Sequence, residues 1–262
     1  MTLTKYFEIG KINFINSFAY TFDLLASSVF VALILFIFVS LWKVVFGGQI
    51  MIEGFTISMM LWYLVMTESI VTAQGHVVEE IGEEIKSGQI ANYLNKPYNY
   101  IFYKYASNIG NGVFRFFLTF LVASIVVLIF LGGITIPLIS IIPVLITVFL
   151  AITLHFAMMA LLGVFAFWFE DAKSMHFIYQ KIVFTIGGML LPLEIFPFWL
   201  ERISAVLPFS YVAYHPAKLF VNFSFSSFFS VLVFQIIWIA VISLFIFLVF
   251  RVCVKKVSVN GG

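Results

Sequence analysis

Charge is scarce in this chain. Its 262 residues hold 14 Lys and Arg and 12 Asp and Glu, so that 10% are charged while 63% are hydrophobic. A soluble domain carries about 25% charged residues, and a fold of this size with so few could not coat its surface without large apolar patches. This excludes a water-soluble globule and a disordered chain, and the near balance of the two signs leaves no basic footprint for nucleic acid. Cysteine is rarer still. Cys253 stands alone, so no internal disulfide and no cysteine-based metal cluster can form. Catalytic patterns are missing as well. There is no Gly-x-x-x-x-Gly-Lys-Ser/Thr loop to cradle phosphates and no Gly-x-Ser-x-Gly elbow, and His76, His155, His176 and His215 never fall at His-Glu-x-x-His spacing. No catalytic residue, no metal site and no cofactor bound by this chain is expected.

What is abundant is long apolar runs, and Phe alone supplies 34 positions of the chain. A helical span needs about 20 mainly apolar residues to cross a hydrocarbon core of about 30 Å. Leu24–Leu41 is uncharged. Phe55–Ala73 is interrupted only by Glu68. Phe116–Leu131 runs to a Gly132-Gly133 stop, Leu138–Phe169 carries Pro143 and His155 and ends at Glu170-Asp171, and Phe228–Phe250 ends at Arg251. These runs are continuous rather than alternating, which excludes β-barrel strands. The fold class expected is an all-α integral membrane protein of about six transmembrane helices, forming one domain over residues 1–262.

Between Lys181 and the last run the pattern breaks. Ile182–Leu193 is apolar but short, contains Gly187-Gly188, and runs into Pro192, Glu194 and Pro197, with Pro208 and Pro216 beyond. A broken or re-entrant fifth segment over 187–216 is expected, and a kinked span with a structured outer loop fits the same residues. Short, Gly/Pro-interrupted membrane segments point to functional regions, because non-helical backbone at that depth must line a cavity or be covered by protein. Residues 1–23, with Tyr6, Phe7, Phe14 and Phe18 among Lys5, Glu8 and Lys11, suit an N-terminal interfacial helix. No cleavable signal peptide is expected, since the first apolar run is of spanning length and has no small-residue cleavage site after it. With six spans and the N-terminus inside, Lys5, Lys11, Lys86, Lys96, Lys104, Arg115, Lys173, Lys181, Arg251, Lys255 and Lys256 lie inside and Lys43, Arg202 and Lys218 outside. That positive-inside bias predicts a multi-pass protein of the cell membrane with both termini cytoplasmic.

The longest polar stretch lies in the inner segment 74–115. Glu79, Glu80, Glu83 and Glu84 share one helical face, Ile81 and Ile85 form a neighbouring stripe, Ser87-Gly88 breaks the helix, and Ile90, Tyr93 and Leu94 open a second turn closed by Pro97. A solvated acidic face and a protein-docking knob both fit these residues. Two ionisable residues fall within spans, Glu68 and His155. Such groups face a bundle interior or a pathway, so they are candidate pathway residues, and each can equally be satisfied by a neighbouring helix.

Two blocks carry a resemblance to a known family. The first is Glu84-Ile85-Lys86-Ser87-Gly88-Gln89-Ile90-Ala91-Asn92-Tyr93-Leu94-Asn95-Lys96-Pro97, with Lys96 where the family often has Arg. The second is Gly187-Gly188-Met189-Leu190-Leu191-Pro192-Leu193-Glu194-Ile195-Phe196-Pro197, followed by Leu207-Pro208-Phe209 and Pro216. Together they resemble the permease subunits of ABC-2 type transporters, the mostly export-directed branch of ATP-binding-cassette systems. The resemblance implies that Glu79, Glu80, Glu83, Glu84, Ile85, Lys86, Ser87, Gly88, Gln89, Ile90 and Leu94 belong to a coupling segment seated in a separate ATPase subunit. It implies that ATP and Mg are bound on a dimer of that subunit, and that a second permease chain, identical or related, completes the pore in the lipid bilayer. Gly187, Gly188, Leu191, Pro192, Leu193, Glu194, Phe196 and Pro197 would then shape an outer gate. The alternative is a proton-coupled secondary transporter using Glu68 and His155.

Overall fold

The computed structural model describes residues 2–134, 136–168 and 172–257. Among the described residues the only β pairing is a single bridge between Ile52 and Phe55, and the rest of the ordered backbone is helical. In chain order the helices are α1 (Thr2–Ser17), α2 (Thr21–Phe46), α3 (Ile57–Thr72), α4 (Val77–Lys86), α5 (Ile90–Leu94), α6 (Tyr100–Leu131), α7 (Ile141–Val164), α8 (Ala172–Phe184), α9 (Phe198–Val206), α10 (Pro208–Val212), α11 (Tyr214–Val221) and α12 (Phe225–Val257). Four stretches are long and apolar enough to cross a membrane: Val29–Phe46, Tyr100–Leu131, Leu138–Phe167 and Phe225–Val254. The chain is an all-α membrane protein.

The centre of the bundle is α3. Thr56 caps it, its Oγ1 accepting from the Met59 N–H at 3.2 Å, and every residue from Met60 to Ile70 is buried. At 16 residues it rises about 24 Å, less than the hydrocarbon thickness. It can be short because α2, α6, α7 and α11 surround it. The helices around it bury stripes only. On α2 these are Val31, Leu35, Val39, Trp42 and Phe46, spaced three or four apart, while Phe30, Leu33, Phe36, Ile37 and Leu41 face outward. Apolar side chains on the outward faces are what a lipid solvent requires.

The third apolar run begins earlier than its hydropathy suggests. The helix starts at Tyr100 rather than Phe116, because Asn99 caps it through Oδ1, which accepts from the Phe102 N–H at 3.1 Å. Lys104, Asn108, Asn111 and Arg115 are therefore helical and lie on one stripe of α6. Alongside this extension runs α1. The Tyr6 hydroxyl accepts from the Asn99 N–H at 2.9 Å, the Phe18 ring lies 4.6 Å from that of Phe114, and Ser17 Oγ donates to Asn111 Oδ1 at 2.8 Å. The two helices cross at glycines, where a Cβ on Gly110 would lie 2.1 Å from the Gly10 carbonyl oxygen. At the end of the next run, α7 passes into a 3-10 turn at Phe165–Phe167, and the expected terminus at Phe169, Glu170 and Asp171 lies outside the described residues.

Candidate functional site

The first block folds into α4 and α5, joined by a turn at Ser87-Gly88-Gln89. Gly88 adopts φ of +73°, a left-handed conformation that L side chains disfavour, and nothing lies within 4 Å of where its Cβ would be. The tip is exposed: Glu83, Lys86, Ser87, Gly88 and Gln89 face solvent, while Ile85 and Leu94 are half-buried and Ile90 is buried. A recess of about 640 Å³ opens beside it, lined by Glu80, Glu83, Glu84, Lys86, Ser87, Gln89 and Lys104.

The base of α4 is locked to three helices. Glu84 accepts from the Tyr100 hydroxyl at 2.5 Å and from Lys104 Nζ at 2.8 Å, and Lys104 also reaches Glu80 at 3.5 Å. Lys104 and Glu84 are 11% and 13% exposed at the side chain, so this pair is largely withdrawn from water. Toward α8, Glu79 Oε1 lies 2.6 Å from His176 Nδ1. A carboxylate can only accept, so Nδ1 carries the proton, and Gln180 Nε2 sits 3.1 Å from the other ring nitrogen. Partial burial works to raise the Glu79 carboxyl, but the His176 hydrogen bond, its own backbone N–H and the nearby His176 and His76 imidazoles outweigh it and hold it below 4.5. Toward α7, Ile81 is fully buried against Gly163, where an added Cβ would lie 2.8 Å from the Ile81 Cβ.

The four acids thus do not form one solvated face. Glu79, Glu80 and Glu84 engage the protein's own cations and hydroxyls, and Glu83 is left to solvent. Their partners Tyr100, Lys104 and His176 carry no local signal in the sequence. They stand 16, 20 and 97 residues from the acids they meet.

The second block forms the broken segment. After α8 the chain turns at Thr185–Gly187, passes through a 3-10 turn at Leu193–Ile195, and continues into the short helices α9, α10 and α11. A Cβ on Gly187 would lie 2.4 Å from the Val183 carbonyl oxygen, and one on Gly188 would lie 2.9 Å from the Tyr214 Cβ. The buried α3 hydroxyls satisfy the freed carbonyls: Tyr63 donates to Gly188 O, and Thr67 Oγ1 donates to Met189 O at 2.9 Å. Glu194 accepts from the Tyr214 hydroxyl at 2.7 Å and pairs with Lys218. Leu193 is buried, Leu191, Pro192, Glu194 and Phe196 are buried or half-buried, and Pro197 is exposed. Gln235 on α12 donates to Thr147 O and Tyr211 O, both at 3.0 Å, tying this segment to α7.

Glu68 and His155 are both buried in the bundle, at 4% and 3% exposure. No hydrogen bond or ion pair joins them among the described residues. The His155 ring lies tilted against that of Tyr179, with ring centroids 5.6 Å apart, and among the described residues its Nδ1 has no hydrogen-bond partner.

No curated protein matches the chain. A family model described as ABC-2 family transporter protein matches residues 18–261, which takes in both blocks and all of α2 to α12. The spans, the anchored α4–α5 knob and the broken segment before α12 lie within that match, and the chain belongs to the ABC-2 transporter family, whose members are the membrane-spanning permease subunits of ABC transporters.

Proposed function

We propose that the chain is the permease of an ABC-2 exporter, acting beside a second permease chain, identical or related, on a dimer of separate ATPase subunits that bind ATP and Mg. Six segments cross the cell membrane in this reading, namely α2, α3, α6, α7, α8 with the broken segment, and α12, with both termini cytoplasmic. The positive-inside distribution of Lys and Arg supports that orientation.

One observation carries the coupling assignment. The exposed tip Lys86–Gln89 sits on a base fixed to α6 by Glu84, to α7 by Ile81 and to α8 by Glu79. A push on the tip is delivered to three helices at once. Rigid packing makes such a base move as a unit rather than deform. Closure of the ATPase dimer would then bias the pore between inward-open and outward-open states, with Gly187–Pro197 as the outer gate.

The test is reconstitution with the ATPase that co-purifies with the chain. Permease-stimulated ATP hydrolysis is expected, and Gly88→Pro, whose ring cannot adopt φ of +73°, abolishes the stimulation while the chain stays inserted. Full stimulation by that variant overturns the coupling assignment. Substrate movement driven by a pH gradient in liposomes holding this chain alone overturns the ABC reading.

A further inference from the structure

At the end of the bundle where α1 meets α6, a cavity of about 630 Å³ is lined by Asn13, Asn16, Ser17, Ala19, Tyr20, Asn111 and Arg115. Its chemistry is unusual for this protein. Among the described residues the lining holds one cation, several neutral hydrogen-bonding groups and no carboxylate. Arg115 is half-buried, its guanidinium lies against Gly75, with Nη1 3.7 Å from where a Cβ there would be, and among the described residues it has no ion pair and no hydrogen bond. The carboxylate that acts on it electrostatically is Glu80 on α4, which is exposed and engaged with Lys104. Ser17 Oγ lies 2.8 Å from Asn111 Oδ1 and 2.9 Å from the Asn13 carbonyl oxygen, so its single proton is shared between them, and the Asn111 amide keeps an N–H for the cavity. Asn16 is exposed at the rim, and Tyr20 brings a phenol.

The depth of the site is set by α6. Arg115 stands sixteen residues from Leu131, the other end of the helix, a rise of about 24 Å. A hydrocarbon core of about 30 Å therefore ends within the reach of an arginine side chain from that position. The guanidinium is held at the level of lipid phosphates, beside neutral donors that a phosphodiester oxygen can accept from.

We infer that this cavity binds the phosphodiester of an anionic phospholipid headgroup, with Arg115 as the counter-charge and Asn16, Tyr20 and Asn111 as donors. A zwitterionic headgroup brings a second cation for which the lining has no carboxylate, so the site discriminates against it. Because α1 forms one wall, the bound headgroup bridges α1 to α6.

Purified full chain in mixed phosphatidylglycerol and phosphatidylcholine nanodiscs, followed by native mass spectrometry of retained lipid, tests this. The chain is expected to retain phosphatidylglycerol over phosphatidylcholine roughly tenfold. Arg115→Gln brings the ratio near one, and Arg115→Lys keeps most of it. Should Arg115→Gln fail to fold, Asn16→Asp puts a carboxylate at an exposed rim position and is expected to lower the ratio roughly fivefold. Lys11→Gln, exposed on α1 and outside the cavity, leaves the ratio unchanged. Retention unchanged in Arg115→Gln and Asn16→Asp overturns the site, as does an equal loss in Lys11→Gln, which would mean diffuse surface charge. Displacement of the lipid by millimolar inorganic phosphate would assign the cavity to a free phosphate and overturn the headgroup source.

Discussion

Two glycines with nearly the same backbone sit in the two segments of this permease that depart from plain spanning helix. Gly88 in the α4–α5 turn has φ of +73° and Gly188 in the broken segment has φ of +71°. Around Gly88 there is open space, whereas Gly188 is enclosed by Tyr214 at 2.9 Å, Leu193 at 3.0 Å and Leu191 at 3.4 Å. The turn at Gly88 needs only a conformation. The turn at Gly188 needs a conformation and an absence of volume, and it is held in addition by hydroxyls from α3. The knob keeps its tip free and ties down its base with charge. The broken segment buries its turn and leaves the ion pair of Glu194 with Lys218 toward the edge, where Lys218 is 40% exposed.

The contrast predicts a ranked set of effects. Gly188→Ala incurs both left-handed strain and overpacking, and should cost about 4 kcal/mol, read as a large fall in thermal midpoint in detergent. Lys104→Met leaves Glu84 largely buried without its cation and should cost about 3 kcal/mol, with Glu84→Gln in the same background recovering part of it in a double-mutant cycle. Gly88→Ala meets strain alone and should cost about 1 kcal/mol. If Gly88→Ala were as damaging as Gly188→Ala, the distinction between an open and a packed turn would fail.

The smallest effect concerns pH. Glu79 has its folded pKa held below 4.5, so its contribution is present above that value and is lost as pH falls through the lower folded value. His176 on α8 and His76 at the start of α4 are the titratable groups facing it. Glu79→Gln should therefore flatten the decline in thermal midpoint below about pH 4.5 and change little near neutrality. An unchanged acid slope would show that the α4–α8 contact is not held by this carboxylate.

Much of the fold was legible because lipid imposes a length rule on apolar runs. The α2, α7 and α12 runs were visible from it, and so was the break at Gly187-Gly188 and the turn at Ser87-Gly88. The start of α6 was not. Lys104, Asn108, Asn111 and Arg115 placed residues 100–115 in the polar inner segment, and it is the Asn99 cap, with Lys104 held by Glu84 and Asn111 by Ser17, that accounts for their being helical. The acids of α4 were legible as a cluster but not as three separate contacts. Their partners lie on helices far away in sequence, and no spacing rule connects Glu79 with His176. The Arg115 cavity was invisible for the same reason, since α1, the turn at Phe18–Tyr20 and α6 each supply part of it.

What the sequence determined by itself was the solvent, the helical class, the positions of most spans and the two segments that depart from plain spanning helix. Each follows from composition or from Gly and Pro placed against an apolar run. What only the tertiary structure decided was which face of each helix turns inward. On α2, inward Leu35 and outward Phe36 are equally apolar, because lipid asks the same of an exposed side chain as the core does of a buried one. Hydrophobicity places a helix in the membrane and says nothing of its rotation. The rotation was settled by the few polar groups that cannot face lipid, such as Thr67 on Met189, Gln235 on Thr147 and Glu84 on Lys104, and by glycines that let backbones touch.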